Sequence, residues 1–144
     1  MEIKIKKLHP DAVIPKYANP GDAGMDLTAV DVSTDYGCLT YHTGLAIEIP
    51  RWHVGLLFPR SSVYKGRQML TNCVGVIDSG YRGEVMLKYT LSPTGNDYEI
   101  GDRVGQLIIM PYPKIDFVEV DELTSTERGE GGYGSTGKWN KILK

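Results

Sequence analysis

The sequence predicts an all-β sandwich or barrel, on three observations. Its 144 residues include 17 glycines and 8 prolines. They are spread so evenly that the longest stretch free of both runs only from Lys114 to Arg128. Helices need uninterrupted runs of about 10–14 residues, and glycine and proline break them. Apolar residues recur at alternate positions in short segments, and turn residues punctuate those segments. With 41% apolar residues, the chain can bury one modest core, with room for at most one short helix.

The elements follow in order. Ile3, Ile5 and the aliphatic stem of Lys7 alternate, so residues 2–8 read as a strand, ended by His9-Pro10. Residues 10–22 hold Pro10, Pro15, Pro20 and Gly21 and form an extended loop. Leu39, Tyr41, Thr43, Leu45, Ile47 and Ile49 share one register up to Pro50, which predicts a strand pair or one long strand over 39–49. Val54 to Phe58 is a short buried strand. Residues 61–67 make one or two helical turns after Pro59, with serines at the start. Met69 to Ile77, Glu84 to Leu91, Arg103 to Met110 and Phe117 to Val120 read as strands. Asp78-Ser79-Gly80, Pro93-Thr94-Gly95-Asn96, Ile100-Gly101-Asp102 and Pro111-Tyr112-Pro113 are the turns between them.

The composition changes near residue 124. Residues 124–137 contain no aliphatic side chain and cannot build core. The expected organisation is therefore a β domain over 1–123 and a glycine-rich, flexible C-terminal tail over 124–144. That tail carries Arg128, Tyr133, Ser135 and Thr136 among glycines, the groups that fold onto a phosphorylated ligand. Gly129, Gly131 and Gly134 match GxGxxG, and Gly132 to Lys138 match GxxxxGK. Both patterns need a helix directly after the glycines. Only six residues follow Lys138, and Trp139 stands where a P-loop has Ser or Thr. Both motifs are rejected.

The formal charge of -2 leaves no dominant basic face, which argues against nucleic-acid binding. No run of ~18 apolar residues is present to span a membrane, and the N-terminus lacks a signal peptide's apolar stretch. Cys38 and Cys73 are far apart and suit reduced thiols in a cytoplasmic compartment. His9, His42 and His53 have no metal-ligand spacing.

Four segments carry candidate chemistry, each with a structural alternative. Arg60, Ser61 and Ser62 at a helix start make an anion cradle, or a helix cap beside a surface arginine. Gln106 places an amide among apolar residues, for a ligand or for a structural hydrogen bond. Asn72 to Met86 reads as a β-hairpin with Asp78 and Tyr81 at its neck. Gly75 and Gly83 on its two arms would admit a flat ligand, or Asp78 simply caps the turn. Asp26 lies in a short apolar segment and wants a cation, with Arg128 a candidate and a local turn bond the alternative.

Taken together these segments resemble the five ordered motifs of the trimeric dUTPase family. They are Ala23 to Leu27, Pro59 to Ser62 with Lys65-Gly66, Gly75 to Glu84, Gly101 to Leu107 and Arg128 to Gly137. The resemblance runs from about residue 3 to 138, in family order. Tyr133 departs mildly, standing where phenylalanine is usual.

The resemblance implies a jelly-roll β-fold and a homotrimer with active sites built between subunits. It implies hydrolysis of dUTP to dUMP and pyrophosphate, which keeps uracil out of DNA and supplies dUMP for thymidylate synthesis. It also implies Mg²⁺ held by the triphosphate and water, with no direct protein ligand. Asp78 matches the water-activating carboxylate. Asn72 and the main chain at Val76, Ile77 and Met86 match base contacts, and Tyr81 the deoxyribose contact. Arg60, Ser61, Ser62 and Gln106 match phosphate binders. Tyr133, Gly134, Ser135 and Thr136 match the closing tail, with Arg128 pairing to Asp26. The rivals are the related dCTP deaminase branch and a catalytically silent trimer.

Overall fold

The structure, a computed structural model, describes residues 1–93, 95 and 97–135. It comprises two units, Met1–Lys114 and Ile115–Lys144. The first has a jelly-roll-like β-fold built from antiparallel pairs. Its strands are β1 (Lys4–Lys7), β2 (Met25–Thr28), β3 (Asp31–Asp35), β4 (Cys38–His42), β5 (Leu45–Glu48), β6 (His53–Phe58), β7 (Gly75–Ile77), β8 (Met86–Thr90) and β9 (Arg103–Pro111). They form a four-stranded sheet in the order β2-β9-β6-β7, a three-stranded sheet β3-β4-β8 and the pair β1-β5.

Burial follows the alternation in the sequence. Leu45 and Ile47 on β5, Leu57 on β6, Leu87 and Tyr89 on β8, and Leu107 on β9 point into one core. Its centre is aromatic. The rings of Tyr41, Tyr89 and Tyr98 meet edge to face, with centroids 5.7 to 5.8 Å apart. The Tyr89 hydroxyl donates to Val104 O at 2.7 Å, so its polar end is satisfied inside the core.

Several sequence expectations are met, and some are corrected. The 39–49 register resolves into two strands, β4 and β5, which do not pair with each other but belong to different sheets. Residues 61–67 form a single 3₁₀ turn, Ser61–Lys65, with Arg60 at the N-cap position and no side-chain cap bond. The expected strand Met69 to Ile77 is broken. Leu70 bridges to Tyr89, then Cys73 takes φ +59° and its N–H turns back to Leu70 O. The chain thus leaves the three-stranded sheet before β7 joins the other one.

The expected strand Phe117 to Val120 does not form. Phe117, Val118 and Val120 are exposed, and a strand without a partner ladder is not stable by itself. Strand β3 escaped the sequence reading because all five of its residues are exposed, so no alternation marks it. Its turn uses Tyr36 and Gly37, both at positive φ. In the second unit, the described residues make successive turns: Gly129 N to Thr126 O, Gly131 N to Arg128 O and Ser135 N to Gly132 O.

The tyrosine cluster generates a pH prediction. Burial pushes the Tyr89 phenol well up, and Tyr98 and Tyr41 add to the shift. Burial likewise raises Tyr41 and Tyr98. The fold therefore favours the neutral phenols. Their contribution to stability is complete below the unfolded value of about 10 and is lost as pH rises past it. Absorbance titration of the folded protein should show phenolate still forming above the unfolded value of about 10, with alkaline unfolding following. Simultaneous ionisation of all tyrosines near pH 10 without unfolding would contradict this.

Candidate functional site

The four-stranded sheet assembles the first group of candidate residues by register. Gln106 on β9 pairs with Asp26 on β2 on one side and with Phe58 on β6 on the other. Phe58 leads directly to Pro59 and Arg60. Three segments remote in sequence thus converge on one strand position.

The side chains complete the arrangement. Arg60 Nε donates to Asp26 Oδ1 at 3.0 Å, and Arg103 Nη1 donates to Asp26 Oδ2 at 2.9 Å. Each oxygen of the half-buried carboxylate thus holds one guanidinium. The engagement of Arg60 through Nε leaves its terminal nitrogens as donors for an oxyanion. Gln106 Nε2 donates to Pro59 O at 3.1 Å, which satisfies the structural alternative for this residue. Its amide oxygen occupies the space where a Cβ on Gly24 would stand. Gln106, Gly24, Asp26 and Asp22 line a cavity of about 290 Å³. Arg60 and Arg103 border a second one of about 240 Å³ with Tyr98 and Asp102. The Arg60 guanidinium there partly offsets the burial that raises the Tyr98 phenol.

The second group lies on the segment between β7 and β8. Val76, Ile77, Asp78, Tyr81, Glu84 and Met86 line one cavity of about 170 Å³. The segment is not a hairpin with paired arms, as the sequence suggested. β7 pairs with β6, and β8 pairs with β4. Both are edge strands, of different sheets. They do not pair with each other, and residues 69–71 bond to the far end of β8, through Thr71 N to Lys88 O and Thr90 N to Met69 O, both at 2.9 Å. Tyr81 N closes the turn onto Asp78 O at 3.0 Å, and the exposed Asp78 side chain is available to a ligand.

The two glycines have a different role from the one expected. A Cβ on Gly75 would lie 2.9 Å from Leu57 Cβ, and one on Gly83 would lie 2.5 Å from the Tyr81 hydroxyl. Core packing and the Tyr81 ring, not a ligand, take up that space.

The remaining predicted residues are more scattered. Asn72 is exposed and is not among the residues lining the 170 Å³ cavity. Ser61 is exposed, and Ser62 lines a separate cavity with Lys65, Gln68 and Asp97. Arg128, Tyr133, Gly134 and Ser135 belong to the second unit. There Arg128 Nε donates to Gly131 O at 2.9 Å, and the Tyr133 ring is fully exposed. Thr136 lies outside the described residues.

Sequence reasoning missed Arg103 as a partner of Asp26. That contact depends on the antiparallel pairing of β2 with β9, which sets Thr28 opposite Arg103. It also missed the partners of Glu84, which are His42 and the Gly44 N–H.

Gly105 holds the register beneath Gln106. A Cβ there would collide with the Leu87 side chain and lie 3.0 Å from Phe58 O. Gly105→Ala should lower the unfolding free energy by about 1–3 kcal/mol in urea titration. Gly80→Ala, where nothing lies within 4 Å, should change it by less than about 0.5 kcal/mol. Equal effects would contradict the close approach.

Comparison with known proteins matches the dUTPase family profile to residues 10–137. The deoxyuridine 5'-triphosphate nucleotidohydrolase of Thermobifida fusca is 42% identical over 143 residues, covering 95% of this chain and 79% of the relative. That of Escherichia phage T5 is 42% identical over 146 residues, covering 94% and 98%. Among solved structures, a mutant dUTPase of Staphylococcus bacteriophage 80alpha, bound to dUpNHpp, superposes with a TM-score of 0.83. It is 25% identical and covers 95% of this chain and 99% of that one.

Proposed function

The chain belongs to the dUTPase family, and from that premise we propose that it hydrolyses dUTP to dUMP and pyrophosphate with Asp78 as the water-activating carboxylate. One observation carries the assignment. Asp78 and Tyr81 line a single cavity with Val76 and Ile77 of β7 and Met86 of β8.

The cavity is the base and sugar site in this reading. Main-chain donors and acceptors at Val76, Ile77 and Met86 read the uracil edge, and Asn72, which is not among the residues lining the cavity, is the further base contact of this reading. A thymine methyl clashes there, and a cytosine presents mismatched donors. Each buried polar mismatch costs ~1–3 kcal/mol, so several give useful selectivity. Tyr81 packs against the deoxyribose.

Asp78 orients a water and accepts its proton as the water oxygen attacks the α-phosphorus in line. The bond from that phosphorus to the bridging oxygen breaks, and pyrophosphate leaves with the electron pair. Arg60, pre-aligned by Asp26, offers its terminal nitrogens to the phosphates with Ser61, Ser62 and Gln106. Arg103 shares the same carboxylate and adds positive charge beside it.

In this reading a third subunit supplies the tail that closes the site. Tyr133 stacks on the base, Gly134, Ser135 and Thr136 meet the terminal phosphate, and Arg128 reaches the lone pairs that Asp26 still offers.

Among the described residues, no three His, Cys, Asp or Glu side chains gather as a metal cage. Magnesium carried in by the triphosphate, with its remaining sites filled by water, fits such a donor set. When bound it neutralises phosphate charge.

The two groups of site residues line cavities that share no residue. This supports sites completed between the subunits of a homotrimer. An apolar groove of about 460 Å³ lined by Ile3, Ile5, Ile14 and Tyr17 is available for such association. No described helix is long and apolar enough to cross a membrane. Free thiols at Cys38 and Cys73 suit a cytoplasmic setting.

Pyrophosphate release from dUTP, set beside dTTP, dCTP and UTP with and without Mg²⁺, tests the assignment. Ammonia release from dCTP would favour the deaminase branch. Asp78→Asn should reduce turnover ~10²–10⁴-fold with substrate binding retained, and near-normal turnover would remove Asp78 from this role. Deletion of residues 127–144 should leave the β-fold intact by circular dichroism but cut turnover by about 10²-fold or more. A fully active truncation would disprove closure.

A further inference from the structure

Behind the cavity runs a chain of hydrogen bonds that the reaction itself does not use. Glu84 lines the cavity, yet its carboxylate is turned toward β4 and the turn that follows it. Oε1 accepts the Gly44 N–H at 2.7 Å, and Oε2 lies 3.0 Å from His42 Nδ1. On the other face of the imidazole, His42 Nε2 lies 3.0 Å from Ser33 Oγ on β3. With Nδ1 protonated, the neutral ring donates to Glu84 and accepts the Ser33 hydroxyl, so each partner is satisfied. His42 and Glu84 side chains are each only 24% exposed, which shields the pair from competing water.

The same residue touches the substrate side through its backbone. Glu84 O accepts the Tyr81 hydroxyl at 3.0 Å. The next residue is held as well, by Val85 N to Leu45 O at 2.8 Å and Thr43 Oγ1 to Val85 O at 2.6 Å. A contiguous path therefore runs from Ser33 through His42 and Glu84 to the Tyr81 ring. That ring fills the space that a Cβ on Gly83 would take and is 40% exposed.

We propose that His42 and Glu84 are positioning residues for sugar recognition: they fix the Glu84 carbonyl, and through it the Tyr81 hydroxyl, so that the ring excludes a 2′-hydroxyl. This rests on the reading of the cavity as the base and sugar site. Asp78 lies outside the path, so the loss of either residue should appear in KM and in sugar preference before it appears in kcat.

The test compares His42→Ala, Glu84→Gln, the double variant, His42→Asn and Tyr81→Ala by steady-state kinetics on dUTP and UTP, with thermal midpoints. His42→Ala and Glu84→Gln should each raise KM for dUTP and the relative use of UTP roughly tenfold, with kcat within about twofold. The double variant should be no worse than the larger single one, because the two act as one unit. His42→Asn, which restores a donor at the Nδ1 position, should recover most of the preference. If Tyr81→Ala loses the preference while the His42 and Glu84 variants keep it, the positioning role is wrong and the cavity reading stands. If Tyr81→Ala keeps the preference, the cavity reading fails and takes this proposal with it. Effects confined to the thermal midpoint, or additive in the double variant, would also overturn the proposal.

Discussion

The chemistry proposed for this molecule depends on one constraint: two edge strands, β7 and β8, contribute to one cavity without pairing with each other. β7 is the last strand of the four-stranded sheet and β8 the last of the three-stranded sheet. Bare strand edges are normally covered, because their main-chain groups invite another strand. Here the turn at Cys73 ends the contact with β8 and delivers the chain to β6. The two arms then diverge around Val76, Ile77 and Met86. A flat ligand with donors and acceptors along one edge can take the place of the missing ladder. Recognition by main chain is stiff, because its geometry is set by the ladders on the far side of each edge strand.

The separation of those edges is itself fixed by the core. Gly105 on β9 lies against Leu87 on β8, one residue from Met86. The adjacent residue on β9, Gln106, brings Asp26 and Phe58 together by pairing with both. One strand therefore packs against β8 beside the cavity and sets the register of the Arg60–Asp26–Arg103 cluster. A half-buried carboxylate between two guanidiniums keeps Arg60 from wandering and presents its terminal nitrogens already oriented. Such preorganisation is how fixed charge lowers a barrier without reorganising during the reaction.

Much of this was legible in the sequence. The alternation of Leu45, Ile47 and Ile49 and of Leu87 and Tyr89 reports burial on one sheet face, and the structure follows it. Asp78 and Tyr81 stood out because a carboxylate and a ring flank a turn between two apolar arms. Contacts between distant segments were harder to read. Arg103 as a partner of Asp26 needs the β2–β9 register, and the link from Glu84 to His42 needs β4 beside β8. The roles of Gly75 and Gly83 were misread because glycine reports only that space is needed. Leu57 and Tyr81, which fill it, are identified by tertiary packing. Phe117 to Val120 had strand chemistry but no ladder to join, and β3 had a ladder but no apolar face to announce it.

A crystal structure with a non-hydrolysable dUTP analogue tests the central claim most directly. Uracil should bond to the main chain of β7 and the start of β8, with the Asp78 carboxylate directed through one water at the innermost phosphorus. A base lodged elsewhere, or Asp78 turned away from that phosphorus, would contradict the account.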